Sequence, residues 1–151
     1  MALKATLKTD LSAAAKAQDK TRLSTLRMLL AAVQNREIEL RRELTDGELL
    51  ETIGKLIKQR QDAIEQFRAG GRTDLVEKEE AEVRVLKAYL PAPLSADELS
   101  ATVDEAIRTA GATSRKDMGK VMKVLLPLIA GRADTRAASE LVQQKLAAMG
   151  G

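Results

Sequence analysis

Apolar residues recur along this chain at steps of three, four and seven, the spacing that gathers side chains on one face of an α-helix. Leu3, Leu7 and Leu11 form such a face ahead of an alanine-rich stretch, which predicts a first helix over Leu3 to Gln18, broken at Asp19 to Thr21. A second stripe of Leu23, Leu26, Leu30, Val33 and Leu40 predicts a long amphipathic helix from Thr21 to Arg42. Thr45-Asp46-Gly47-Glu48 has the order of a capping box, with a hydroxyl for the first turn and a carboxylate reaching back. The helix it opens continues to Ala69 through Leu49, Ile53, Leu56, Ile57, Ile64 and Phe67. Gly70-Gly71 ends it, and Asp74 with Glu77 is expected to cap a fourth helix whose stripe is Val76, Val83, Leu86 and Leu90.

Pro91-Ala92-Pro93 stops that helix and is expected to form an extended spacer, since neither proline continues a helix. The expected division is therefore 1–91 and 94–151. The second part opens on another capping box, Ser95 to Glu98, with Leu94 placed to staple onto Leu99, and its first helix runs to Gly111. Ser114 with Asp117 is expected to cap a sixth helix reaching about Ala130, and Asp134 a seventh ending near Ala148. The fold class is thus all-α: an N-terminal bundle of about four helices followed by a small three-helix C-terminal domain. A composition rich in Ala, Leu, Glu, Lys and Arg, with three prolines, agrees with it.

Composition narrows the chemistry. The chain has no cysteine and no histidine, which removes disulfides, thiolate metal sites, the commonest metal ligand and the commonest general base near neutral pH. No catalytic residue, metal-ligand set or cofactor site is expected. Glu77, Glu79, Glu80 and Glu82 could suggest a metal site, but an acidic helix start favoured by the helix dipole is the simpler reading. No apolar run has signal-peptide or membrane-spanning length, so no membrane association is expected and the expected compartment is the cytoplasm.

Counting 100° per residue puts Glu37, Arg60 and Glu79 inside the apolar stripes of their helices. If the third and fourth helices form an antiparallel hairpin about Gly70-Gly71, Arg60 faces Val83 and lies within reach of Glu79. Arg60–Glu79 is therefore expected as a semi-buried structural ion pair fixing the hairpin register, with an internal polar ligand site as the alternative, and Glu37 is expected to snorkel.

Net charge is only +3, but it is unevenly spread. Ser114 to Arg136 carries six Lys or Arg against two Asp, whereas Ser95 to Ala110 carries four acids and one arginine. Lys116, Lys120 and Lys123 lie at i, i+4 and i+7, opposite Met118, Val121, Met122, Leu125 and Ile129. Pro127 falls on the lysine side and is expected to bend the helix without disturbing the apolar stripe. Such a ridge is either a solvated face or a footprint for phosphates. With one Phe, one Tyr and no Trp there is almost no platform for stacking unpaired bases, so folded RNA contacted through its phosphates fits better than a single strand.

Several runs carry a family resemblance: Leu26-Arg27 through Asn35-Arg36-Glu37-Ile38; Lys58 to Phe67; Glu79-Glu80-Ala81-Glu82 leading to Tyr89-Leu90-Pro91; Asp117 to Met122; and Gly131-Arg132-Ala133-Asp134. Together they resemble the GatB/YqeY-like family, YqeY proteins whose second part is similar to the tail domain of GatB, the tRNA-engaging subunit of tRNA-dependent amidotransferases. Lys123 stands where the pattern usually has glycine, and Thr135 where glycine is common. In the amidotransferases the glutaminase and kinase-like centres lie in other domains or subunits, and nothing here resembles either. The resemblance implies a tRNA-binding or amidotransferase-associated accessory protein without its own active site, with tRNA as partner and Lys116, Lys120, Lys123, Arg132 and Arg136 on phosphates. Two alternatives remain open: a helical protein-protein adaptor, or a non-catalytic subunit supporting glutamine-dependent amide transfer in a carbon-nitrogen ligase assembly.

Overall fold

A computed structural model describes residues 2–150. Among them are seven α-helices, one 3-10 turn and no strand: α1 Ala2–Ala17, α2 Lys20–Leu40, α3 Asp46–Ala69, α4 Thr73–Lys87, α5 Ala96–Ala110, the turn Arg115–Asp117, α6 Met118–Ile129 and α7 Thr135–Ala148. None is long and apolar enough to cross a membrane. The chain divides into two compact units at Leu90–Pro91.

In the first unit the stripes of all four helices meet. Leu7, Leu26, Leu29, Leu49, Ile53 and Leu86 are fully buried, and Leu44, from the loop before α3, joins them. Each such side chain contributes about 1.5–3 kcal/mol by leaving water. α3 and α4 pack as a hairpin through Gly70-Gly71, where Gly71 has φ +72°, a backbone region glycine adopts without strain. α2 starts on Asp19, whose side chain accepts from the Arg22 amide, and ends on Arg41 in the left-handed region at φ 57°. Asp74 does not cap α4 as its spacing with Glu77 suggested. The N-cap position is Arg72, with no side-chain cap bond, and the Arg72 guanidinium instead engages the Asp74 carboxylate at 3.0 and 3.2 Å.

The Thr45–Glu48 capping box forms as the sequence indicates: Thr45 Oγ1 accepts from the Glu48 amide at 3.1 Å, and Glu48 accepts from the Thr45 amide at 3.0 Å. Glu48 also receives both Arg42 guanidinium nitrogens, at 2.7 and 2.8 Å. That hydrogen-bonded guanidinium, followed by the Thr45 amide, holds the Glu48 carboxyl down at about 2, from an ordinary 4.5. A depressed acid stabilises the fold above its unfolded value and loses that stabilisation as pH falls through its folded one. Thermal midpoints of wild type and Glu48→Gln should therefore differ by a constant amount above about pH 5, and the gap should close between about pH 4.5 and 2. For so exposed a pair the plateau is at most about 1 kcal/mol. A gap independent of pH would show that the carboxylate charge contributes nothing.

The second unit packs α5, α6 and α7 around Val103, Ala106, Val121, Leu125, Ile129, Ala138, Val142 and Leu146. Ser95 and Glu98 complete their reciprocal box at 3.1 Å each way, and Leu94 and Leu99 both pack on this core. Pro127 sits in the last turn of α6 with its ring exposed, while Val121, Leu125 and Ile129 stay buried on the other side. The residues around Pro93 are pinned within this unit rather than left as a plain spacer. The Ala92 carbonyl accepts from Arg132 Nε at 2.9 Å, and the Leu94 amide donates to the Arg132 carbonyl at 2.8 Å.

Candidate functional site

The sixth segment does not begin as one continuous α-helix. Ser114 accepts from the Lys116 amide at 3.3 Å and so caps a 3-10 turn, and α6 proper starts only at Met118. Asp117 is occupied by the Thr113 amide at 2.9 Å, a bond that holds its carboxyl below the usual range. Lys116 therefore projects from a turn with three residues per repeat, and Lys120 and Lys123 from an α-helix. All three lysines are exposed, while Val121, Leu125 and Ile129 bury the opposite side. Only Lys120 has an acid nearby, Asp117 at 3.8 Å; among the described residues Lys116 and Lys123 have none within 4 Å.

The two arginines differ from the lysines and from each other. Arg136 is exposed at the start of α7 and lies 3.6 Å from Glu140, one helical turn on, a loose surface pair worth little. Arg132 is half-buried, and its Nε and carbonyl are both committed to residues 92 and 94. Arg115 was not singled out by spacing, yet it is exposed on the same turn as Lys116. It borders an open hollow of about 520 Å³ that it lines together with Met118, Gln143, Gln144, Leu146 and Ala147. A stripe count reports which face a residue occupies, not which concavity the next helix leaves beside it.

In the first unit Arg60 is buried, with 8% of its surface accessible. Its Nη1 donates to the Leu56 carbonyl at 3.0 Å, and its Nη2 lies against the Met28 sulfur. Nε lies 3.9 Å from Glu79 and closer, 3.3 Å, to Glu82, without a well-aligned hydrogen bond to either. The cluster is thus a triad, not a pair. Burial, then the neighbouring Glu82 charge, pushes the Glu79 carboxyl above its ordinary value, against the pull of Arg60. Glu80 turns outward to Arg68 at 3.1 Å. Among the described residues no group of three or more acidic side chains is arranged to hold a metal ion.

Glu37 does more than snorkel. One oxygen accepts from Lys4 Nζ at 2.8 Å and the other from the Leu44 amide at 2.9 Å, which lowers its pKa, Lys4 being the larger cause. It thereby ties α1, α2 and the loop before α3 together. The single tyrosine, Tyr89, donates to Asp10 at 2.6 Å while Arg22 lies within 3.4 Å of its hydroxyl. Burial and the Asp10 carboxylate push that phenol up to about 12. These contacts span 79 and 67 positions of sequence and carry no local pattern.

The Yqey-like protein family model matches residues 4–146. Among curated proteins the chain is 44% identical over 101 residues to altered inheritance of mitochondria protein 41 of Eremothecium gossypii, covering 65% of this chain and 55% of that protein. It is 44% identical over 87 residues to the Lachancea thermotolerans protein of that name, and 41% over 86 to the Kluyveromyces lactis one, each covering 46% of the relative. The chain thus spans about half the length of the curated relatives it matches. Their names place them in mitochondria, which overturns the cytoplasmic expectation. That expectation rested on the lack of a long apolar run, a property that bears on crossing a bilayer and not on compartment. Since the match runs from α1 through α7 and takes in both compact units, the chain belongs to the YqeY-like family.

Proposed function

We propose that the protein is an accessory RNA-binding protein without an active site of its own, holding folded RNA of the tRNA class through the lysine face of its second unit. The observation that carries this reading is the set Lys116, Lys120 and Lys123, all exposed and nearly free of acidic partners, the first on the 3-10 turn and the other two on the side of α6 away from the core. Ammonium groups so placed attract phosphates, and each one neutralised releases condensed counterions. Arg136, exposed at the start of α7, and Arg132, whose Nε remains on Ala92, are the further cations of this unit assigned to the RNA. The similarity of the second part to the GatB tail supports tRNA as the RNA, and association with an amidotransferase as the setting.

Titration of tRNA at several salt concentrations tests the reading. Three phosphate contacts give a log-log slope of about −3, and each Lys→Ala at 116, 120 or 123 lowers its magnitude by about one. Absence of binding at low salt would refute it. A protein-protein adaptor is the second reading, favoured by the exposed Leu128 and Met149 in the same unit, 44% and 49% accessible. It requires one protein partner that survives nuclease treatment. Support of glutamine-dependent amide transfer inside an assembly is a third, removed if omitting the chain from a reconstituted reaction leaves the rate unchanged.

A further inference from the structure

Between the 3-10 turn, the Met118 side of α6 and α7 lies the hollow of about 520 Å³. Its volume is in the range of small-molecule sites, and it stands open to solvent. Its six lining residues fall into two chemical sets: Met118, Leu146 and Ala147 are apolar, and Arg115, Gln143 and Gln144 are polar. None is acidic. We infer that this hollow receives an unpaired nucleobase of the RNA whose phosphates lie on the lysines. The inference deepens the RNA reading and rests on it.

The chemistry of the lining matches a base on each of its surfaces. A nucleobase has two apolar faces and an edge where donors and acceptors alternate. A thioether is polarizable and flexible enough to lie against a flat ring, and Met118 provides one at the start of α6. Each glutamine amide presents a carbonyl acceptor beside an NH₂ donor, the pairing that a base edge satisfies in two hydrogen bonds. Gln143 and Gln144 are both exposed on α7 and carry no hydrogen bond from their side chains to another described residue that would occupy them. Arg115 has a planar guanidinium that stacks on a ring or holds the adjoining phosphate. Phe67 and Tyr89, the two aromatic residues of the chain, both belong to the first unit, so base contact in the second falls to the thioether and guanidinium.

Positive charge selects this occupant over an apolar peptide. Arg115 lines the hollow and Lys116 follows it on the same turn, while Lys120, in the first turn of α6, lies on the side of that helix away from Met118. The potential at the mouth favours a group attached to a polyanion.

The test uses the full chain with two RNAs, bulk tRNA and a fully paired RNA duplex of similar length. Wild type should bind tRNA about tenfold more tightly, the effect of one good bidentate base contact. The double variant Gln143→Ala/Gln144→Ala should bring tRNA down to the duplex affinity, leaving duplex binding, salt slope and helical circular dichroism unchanged. Chemical probing should show an unpaired tRNA base protected by wild type and not by the variant. Equal wild-type affinity for the two RNAs, or an equal loss on both in the variant, overturns the base site and leaves the phosphate reading standing. Failure to bind either RNA at low salt overturns both. A nuclease-resistant protein partner released by the same double variant assigns the hollow to a protein and overturns the base site.

Discussion

Leu125→Ala lowers the stability of the second unit by about 3 kcal/mol, within the range for truncating a fully buried leucine. Leu125 has no accessible surface, and α6 is held between α5 and α7 through it. A unit of about 60 residues has few other layers to absorb the cavity. At about 0.05–0.15 kcal/mol per residue, its whole stability is about 3–9 kcal/mol, so the loss is a third of it or more. Thermal unfolding followed by circular dichroism should show the affected transition falling by more than about 10 °C. A fall equivalent to less than about 1 kcal/mol would mean that the core around Leu125 closes over the cavity.

Arg60→Met is expected to cost about 3 kcal/mol at neutral pH through a different mechanism. The side chain keeps much of its volume, so the loss comes from leaving Glu79 and Glu82 on a half-desolvated face without their cation. Glu79 is already shifted upward with Arg60 in place, by burial first and by Glu82 second. An acid raised by folding penalises the fold at high pH, so the variant's deficit should shrink as pH is lowered toward 5 and Glu79 takes up a proton. Arg60→Met combined with Glu79→Leu and Glu82→Leu should recover most of the stability, because apolar residues of similar volume replace buried ion triads at little cost. Urea unfolding of the three proteins at pH 7 and pH 5 separates the cases. A single variant as stable as wild type would show that the triad contributes nothing.

Both predictions bear on how much of this molecule is readable from sequence. All seven helices are visible there because each buries a single stripe, and Thr45–Glu48 and Ser95–Glu98 set two of their starts to the residue. Two capping patterns failed where a stronger local partner stood nearby, and Asp134 holds the N-cap position of α7 without a side-chain bond. Asp74 goes to Arg72 in place of the α4 amides, and Asp117 goes back to the Thr113 amide, leaving Ser114 to cap a 3-10 turn. The charges counted inside apolar stripes were a sound signal that partners existed. The periodicity of one helix could not name them: Glu82 approaches Arg60 more closely than Glu79 does, and Glu37 finds Lys4 from α1. Leu44 and Thr25, both buried, gave no sequence signal, one lying in a loop and the other being polar. For the candidate site, the exposed faces of Lys120 and Lys123 follow from helix geometry, whereas the role of Arg115 depends on where α7 passes.

The clip that Arg132 makes on Ala92 and Leu94 bears on how the chain can be divided for study. A fragment begun at Ser95, where the first helix of the second unit is capped, would discard the carbonyl that occupies the Arg132 guanidinium and the amide that meets its main chain. The freed guanidinium would then be available to any anion, and such a fragment would overstate affinity for nucleic acid relative to the intact chain. Excision before Pro91 preserves the clip, and with it the charge distribution on which binding measurements depend.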